Sequence, residues 1–138
     1  MRLTVIGSSP AWPNPGGAHS GYMLTANGTR LLLDCGPGVL GRLRELELYP
    51  ASIAITHFHL DHWGDLVPWA WLNAYGPQEH RIACSLWLPP GGTGQLTAIG
   101  AGPDGRLTFG GPLLAVAADA QVVLSEQIRH SILQVTHA

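Results

Sequence analysis

The 138-residue sequence contains little charge and no lysine. Charged residues make up 12% of the chain, about half of the usual share of about 25%. All 7 basic residues are arginines, which are scattered along the chain, and the formal net charge is −2. The chain therefore lacks a basic stripe that would hold a polynucleotide backbone. This composition argues against a nucleic-acid substrate and favours a small anionic one.

The sequence also lacks a disulfide framework, an export signal and long apolar runs. Its two cysteines, Cys35 and Cys84, are too few for a disulfide scaffold, so we expect buried free thiols. Residues 1–20 have neither the basic start nor the continuous apolar core of a secretion signal. No apolar run approaches the roughly 20 residues that are needed to cross a bilayer. We therefore expect a cytoplasmic protein without a membrane partner.

What the chain does contain is apolar residues, at 46%, with 18 glycines and 11 prolines. The mean hydropathy is +0.15, and this predicts apolar area that another layer of structure would cover. The competing interpretation is a set of glycine- and proline-rich loops that need little charge. No linker or internal repeat is visible, so we predict a single domain over residues 1–138.

Local patterns predict alternating strands and helices. Asn27-Gly28 lies between two apolar runs, and it is the preferred two-residue hairpin turn because both positions tolerate positive φ. An apolar stripe every three to four residues predicts a helix at about 38–47. The other predicted elements are strands at 2–6, 21–26, 29–34, 52–56, 82–88 and 131–136, a helix at 65–75 and loops around a short element at 89–112, while 113–124 is ambiguous.

The most informative segment is His57-Phe58-His59-Leu60-Asp61-His62, which directly follows a β-branched apolar run. Imidazole nitrogens and carboxylate oxygens are the donors that zinc and its first-row neighbours prefer. His57 and His59 alternate along an extended chain and can point to one side, while Asp61 and His62 fall on the turn beyond. The spacing predicts a loop that addresses two adjacent metal ions.

This segment resembles the His-x-His-x-Asp-His signature of the metallo-β-lactamase-fold hydrolases. Residues 1–8, 20–24 and 31–36 resemble the same family in its usual order, and most of all its ribonuclease-Z-like and phosphodiesterase branch. The resemblance implies an α+β fold, an αββα sandwich of two similar halves, of which this chain would be roughly the first. The chain stops at Ala138, so we expect a truncated protein or one that a second copy or another chain completes.

The resemblance also implies roles for particular residues. His57, His59 and His137 would bind a first zinc ion, and Asp61 and His62 a second one, with manganese or another divalent ion as alternatives. A bridging Asp and a final His would come from the missing half. His130 competes with His137 for the third position. Asp61 would also orient the attacking water, and Asp34 would steady the ligands from behind.

Three functions remain open at this point. The first is a metal-dependent phosphodiesterase that acts on a small nucleotide-type substrate, with weak or no activity as this chain. The second is a non-catalytic remnant or assembly subunit that needs a partner chain. The third is a thioester hydrolase similar to glyoxalase II, which shares the ligand motif.

Other candidate residues carry weaker expectations. His19 is expected to be an exposed loop residue, with contact to a substrate as the alternative. His80 is expected to be an exposed or capping residue and not a ligand. Trp63, Trp69 and Trp71 follow the motif and could stack on a nucleobase. Core packing is the commoner use of such tryptophans, and we expect it here.

Overall fold

The computed structural model describes residues 1–99 and the backbone of residues 110–115. The strands are β1 (Arg2–Gly7), β2 (Gly21–Ala26), β3 (Thr29–Leu33), β4 (Ser52–Ala54), β5 (Cys84–Leu88) and β6 (Gly110–Ala115). The helices are α1 (Val39–Glu45), α2 (Leu60–Trp63), α3 (Leu66–Tyr75) and α4 (Gly92–Ile99), with a single 3-10 turn at Gln78–His80.

The six strands form one sheet in the order of the chain, β1 to β6. The first three strands are antiparallel, and β3, β4, β5 and β6 are parallel to one another. Because neighbouring parallel strands end at the same edge of a sheet, the segments that follow β3 and β4 meet there. Asp34 follows β3 directly, and the predicted metal-binding segment lies beyond β4.

The hairpin between β2 and β3 forms at the predicted turn. Asn27 and Gly28 both have positive φ, at 49° and 78°, as a type I′ turn requires. Ala26 pairs with Thr29 across the turn, and Tyr22 pairs with Leu33 at the far end. The register of this hairpin brings Ser20 and Asp34, which flank it, to the same end of the sheet.

The helices cover one face of the sheet. Met23, Leu32, Ile53 and Leu86 point into the larger apolar cluster, which also includes the buried residues of α1, α3 and α4. Their neighbours along the strands point to the opposite face, where a smaller cluster is formed by Leu24, Ala26, Leu31 and Ala54 with Leu33 and Trp87. Both faces are apolar because side chains alternate along each strand.

The start of β5 is fastened to α3 by a buried amide. The side chain of Asn73 donates to the carbonyl oxygen of Ile82 at 3.0 Å and accepts from its N–H at 2.8 Å. The ring N–H of Trp69 donates to the same carbonyl at 3.0 Å. Asn73 and Trp69 are both buried, so these bonds provide the partners that their polar side-chain atoms need. They fix the helix that follows the predicted metal-binding segment.

The observed elements differ from the predicted ones at a few ends. β4 ends at Ala54 instead of residue 56, and the 89–112 segment contains α4 and the first residues of β6. Pro68 lies in the first turn of α3, where a proline does not break a helix. The predicted strand at 131–136 lies outside the described residues, and the single-domain assignment stays a prediction.

Two predictions about composition can be compared with the structure. Cys35 and Cys84 are free and buried, as expected. None of the helices in residues 1–99 has the length and apolar character that a membrane span needs.

Candidate metal site

The predicted metal-binding segment, residues 57–62, forms a short loop beyond the end of β4, and we call it the ligand loop. Its first part is extended, with His59 at the N-cap of α2 and a backbone φ of −83° and ψ of 142°. Asp61 and His62, which were predicted to lie on the turn beyond the strand, lie on the single helical turn α2. The change in backbone direction at His59 gives the two pairs of donors different orientations.

The imidazole rings of the ligand loop converge. The ring centroids of His57 and His59 are 4.7 Å apart, and those of His57 and His62 are 4.0 Å apart. Nε2 of His62 lies 3.3 Å from Oδ2 of Asp61. His57 and His59 are exposed, and Asp61 and His62 are half-buried. The cluster is thus open to solvent on one side and supported by protein on the other.

These side chains approach one another in pairs. Within residues 1–99, no three His, Cys, Asp or Glu side chains converge as a complete ligand set. A third donor for the pair His57 and His59, or for the pair Asp61 and His62, would have to come from outside the described residues. His137 and its competitor His130 lie outside the described residues, so the predicted choice between them stays a prediction.

Asp34 lies directly behind the ligand loop and is the centre of its hydrogen bonding. Its carboxylate accepts bonds from the backbone N–H of Thr56 at 2.8 Å and from the Thr56 hydroxyl at 2.9 Å. It also accepts from the Ser20 hydroxyl at 3.1 Å, and it lies 2.7 Å from Nδ1 of His62. Asp34 is 4% exposed and has a φ of 60°, a conformation that few residues other than Gly, Asn and Asp adopt readily. The structure holds this strained residue through its side chain.

The contact with Asp34 determines which nitrogen of His62 is available. A carboxylate only accepts hydrogen bonds, so Nδ1 of His62 must carry the proton that lies between them. Nε2 of the neutral ring is then left with its lone pair. A carboxylate commonly orients a metal-binding histidine in this way, and the metal-binding role of His62 with its support by Asp34 stays a prediction.

The backbone of the ligand loop is held by the segment around Ser20. The N–H of Ser20 donates to the carbonyl of Asp61 at 3.2 Å, and its own carbonyl accepts from Gly36 at 2.9 Å. Cys35 donates to the carbonyl of His62 at 2.7 Å. A Cβ atom at Gly36 would lie 2.0 Å from the Asp61 carbonyl oxygen. Glycine is therefore required at this position, because the two backbones pass so close to each other.

Asp65 connects the ligand loop to α1. Its backbone N–H donates to the carbonyl of Cys35 at 3.0 Å, and its carboxylate accepts from the N–H of Leu40 at 2.8 Å, in the first turn of α1. Burial raises the pKa of the Asp65 carboxyl above its ordinary value, although the N–H groups of Leu40 and Gly38 oppose the change. The side chain thus caps a helix that is distant in sequence.

The two cysteines are chemically protected by burial. Burial raises the pKa of Cys84 to about 12, and it raises the pKa of Cys35 well above the usual range. Cys35 follows Asp34, and its backbone contacts the ligand loop, but its side chain lies in the main apolar cluster. Neither thiol is therefore a good candidate for a metal ligand or a nucleophile at neutral pH.

The remaining histidines and the tryptophans near the motif differ in their exposure to solvent. The expectation that His19 is exposed is wrong, since it is 7% exposed and its Nδ1 is buried without a hydrogen-bond partner. His80 is exposed on the 3-10 turn, as expected. Trp63 and Trp69 are buried, and only Trp71 of the three presents its ring to solvent, at 50% exposure. Core packing is therefore the use of two of these tryptophans.

Three residues around the site were not identified from the sequence as functional candidates: Ser20, Gly36 and Thr56. Thr56 directly precedes His57, and this adjacency was the available signal. Ser20 and Gly36 were noted only as parts of segments that resemble a known family. Their contacts join residues that are far apart in the chain, and local patterns do not reveal such contacts.

The side chains present fit a divalent metal ion. The ligand loop supplies imidazole nitrogens and a carboxylate, the donor set that suits zinc. Asp34 holds Nδ1 of His62, and Nε2 of the same ring lies 3.3 Å from the carboxylate of Asp61.

The described residues of this site lie within the part of the chain that matches a known family. The sequence model of the family described as "Anti-Pycsar protein Apyc1" matches residues 1–96, more than half of the 138-residue chain. The chain belongs to the Apyc1 family. The Apyc1 match includes Asp34, the ligand loop and the Ser20 segment.

The chain is also similar to known relatives in sequence and to solved structures in fold. A ribonuclease Z from Salinibacter ruber is 36% identical over 125 residues, covering 87% of this chain and 38% of that protein. The metallo-β-lactamase fold protein YhfI from Bacillus subtilis has a TM-score of 0.70 at 22% identity, covering 89% of this chain and 49% of that chain. The short form of human tRNase Z has a TM-score of 0.62 at 24% identity, with 85% and 47% covered.

These comparisons confirm the metallo-β-lactamase fold that the sequence motif implied. They also show that the chain spans less than half of the length of each of these relatives.

Proposed function

We propose that this Apyc1-family chain contributes the first half of the active site of a metal-dependent phosphodiesterase that acts on small nucleotide-type substrates. The observation that carries the proposal is the junction of the ligand loop and Asp34. Three histidines and an aspartate gather at one edge of the sheet, and a buried carboxylate fixes the orientation of one of them. A polar surface turn without a function would not need such support.

His57, His59 and His137 would hold a first zinc or manganese ion, and Asp61 and His62 would contribute to a second. Divalent ions bound there would supply Lewis-acid stabilisation of phosphoryl oxygens and the activation of a water molecule. The protein's own contribution is orientation. Asp34 holds Nδ1 of His62 so that Nε2 faces Asp61, and the Ser20 and Cys35 N–H groups hold the carbonyls of Asp61 and His62 in place.

Asp61 has a second role in this proposal. Its carboxylate is half-buried, and one oxygen lies 3.3 Å from Nε2 of His62. A carboxylate in this position can accept a proton from an attacking water and hold that water in line with a phosphorus atom. We therefore assign to Asp61 both metal binding and orientation of the nucleophile.

The substrate class rests on charge and accessibility. The 7 basic residues are arginines dispersed along the chain, which does not favour the long phosphate track of a polynucleotide. The cluster itself is open to solvent through His57 and His59. A small phosphodiester, such as a cyclic nucleotide, meets both conditions.

The test is the hydrolysis of bis(p-nitrophenyl) phosphate and of 3′,5′-cyclic nucleotides, with zinc or manganese added. It is carried out on the 138-residue chain and on a longer relative that carries the same motif. Turnover is expected to require metal and to be abolished by the equivalent of His59→Ala. His80→Ala is the matched control, because His80 is exposed and lies outside the cluster.

Unchanged turnover in His59→Ala would contradict the assignment. A thioester such as S-lactoylglutathione belongs in the same assay. Cleavage of the thioester alone would replace the phosphodiesterase proposal with the glyoxalase II-like alternative.

A second candidate is a non-catalytic subunit that another chain completes. It is favoured by the pairwise arrangement of donors in residues 57–62, which form no complete ligand set among the described residues. Sedimentation and metal analysis distinguish the two candidates. An active monomer that holds two metal ions would contradict the second one.

A further inference from the structure

The hydroxyl group of Thr56 touches two groups of the candidate site at once. Its Oγ1 lies 2.9 Å from Oδ1 and 3.0 Å from Oδ2 of Asp34. The same Oγ1 lies 3.0 Å from Nδ1 of His57. Thr56 therefore bridges a buried carboxylate and the first histidine of the ligand loop.

The number of protons in this bridge determines its direction. The carboxylate of Asp34 only accepts, and a hydroxyl has a single proton to donate. If that proton pointed to His57, the hydroxyl and carboxylate oxygens would face each other at about 3 Å without a proton between them. The hydroxyl must therefore donate to Asp34, and its remaining lone pair must accept from Nδ1 of His57.

We propose that Thr56 is a positioning residue that places the proton of neutral His57 on Nδ1, so that Nε2 of His57 keeps the lone pair that a metal ion needs. Asp34 then selects the tautomer of two neutral histidine rings, that of His62 directly and that of His57 through the Thr56 hydroxyl. This inference rests on the proposed function for its purpose, but the tautomer itself is a property of the protein without metal.

The exposure of His57 makes this control necessary. The ring is exposed, so water can bond to either nitrogen. Among the hydrogen bonds of residues 1–99, the contact with Thr56 is the one that favours a proton on Nδ1 of His57. The geometry of Thr56 is itself fixed, because its backbone N–H also donates to Asp34, at 2.8 Å. Side chain and backbone are thus held by the same carboxylate.

Long-range ¹H–¹⁵N correlation spectra of the histidine rings test the proposal on the metal-free 138-residue chain. They are recorded at alkaline pH, where imidazoles are neutral, and His57 is assigned by loss of its signals in His57→Gln. The wild-type protein is expected to show His57 as the Nδ1–H tautomer. A His57 ring that carries its proton on Nε2 overturns the proposal, and this result needs no further variant.

Thr56→Val and Thr56→Ser form a matched pair. Valine keeps the branched shape and the backbone N–H but removes the hydroxyl, whereas serine keeps the hydroxyl. His57 is expected to shift toward Nε2–H in Thr56→Val and to stay Nδ1–H in Thr56→Ser, while His62 keeps Nδ1–H in both. An unchanged His57 tautomer in folded Thr56→Val overturns the proposal.

Zinc affinity gives a second readout, measured by competition with a chromophoric chelator. Loss of a group that orients a metal ligand typically costs about 10–100-fold in affinity. That loss is expected for Thr56→Val and not for Thr56→Ser. Failure of the wild-type chain to bind zinc would count against the proposed function, while the tautomer in the metal-free spectra would still decide the role of Thr56.

Discussion

Replacement of Asp34 should destabilise the protein far more than loss of an ordinary surface charge. The carboxylate is 4% exposed and serves four donors: two from Thr56, one from Ser20 and one from His62. In Asp34→Ala all four donors lose their acceptor. In Asp34→Asn one acceptor oxygen remains, but the amide N–H₂ faces donors on its other side.

The magnitude follows from the surroundings of each donor. Hydrogen bonds to charged groups contribute about 1.5–3 kcal/mol each, and a buried donor without a partner costs about 1–3 kcal/mol. Thr56 and His62 reach water and can recover part of this cost, whereas Ser20 is 8% exposed and cannot. Alanine also costs about 1–2 kcal/mol in the left-handed conformation that Asp34 adopts, while asparagine tolerates it. We expect losses of about 4–5 kcal/mol for Asp34→Ala and about 2–3 kcal/mol for Asp34→Asn.

Urea unfolding followed by the fluorescence of the 5 tryptophans measures these differences. The slope with denaturant should stay constant, so that a change in midpoint reports stability. Glu79→Ala, in the exposed 3-10 turn, is the matched acidic control and should change stability by about 0.5 kcal/mol or less. A result for Asp34→Ala within that same range would refute the central place of Asp34 in the site.

Three further predictions concern other contacts of the site. Gly36→Ala should destabilise the protein by about 1–3 kcal/mol or more, because the added Cβ would meet the Asp61 carbonyl. In the control Gly41→Ala, in α1, the added Cβ has nothing within 4 Å and should stabilise the protein by about 0.5–1 kcal/mol. Equal midpoints of the two variants in urea would contradict this prediction. Cys35 and Cys84, whose pKa values are raised by burial, should react with iodoacetamide at neutral pH far more slowly in the native than in the unfolded chain, and equal rates would be evidence against their burial. Burial raises the pKa of Asp65 above 3.8, so the folded state holds the carboxyl proton more tightly than the unfolded state. The free energy of unfolding should therefore fall as pH rises from about 3.8 through the raised pKa. Asp65→Asn should remove this slope, and parallel curves of stability against pH for the two proteins would show that the slope has another source.

The features that were predictable from the sequence are those with a local cause. The Asn27-Gly28 turn forms because both residues tolerate positive φ, and α1 forms where Val39, Leu40 and Leu43 make an apolar stripe. The ligand loop was recognisable because its donors are adjacent in the chain. These predictions needed only spacing and residue type.

The features that were missed depend on contacts between distant segments. The residues of the Thr56–Asp34 contact are 22 positions apart, and no spacing rule connects them. His19 is buried because the segment that contains it passes close to Gly7 and Gly36, where a Cβ would lie 2.1 Å from the His19 carbonyl oxygen and 2.6 Å from its Cβ, respectively. The sequence showed a glycine-rich loop but not which strand ends it would cross. Burial of His19 is therefore a property of the assembled fold.

The ends of β4 and α2 illustrate a third limit. The apolar run 52–56 predicted a strand to Thr56, but β4 ends at Ala54, and Thr56 instead turns its N–H to Asp34. Helical structure then begins at Leu60, within the ligand motif. Here the side chain of a neighbouring strand end overrides the β preference of the local sequence.

Cobalt(II) titration of the 138-residue chain tests most directly whether the ligand loop binds a divalent ion. Saturable binding with the absorption of a protein-bound cobalt ion is expected for the wild-type chain and for the exposed control His80→Gln. The same binding should be lost in His57→Gln and in His59→Gln. Equal binding by all four proteins, or none by the wild type, would contradict a metal site at residues 57–62.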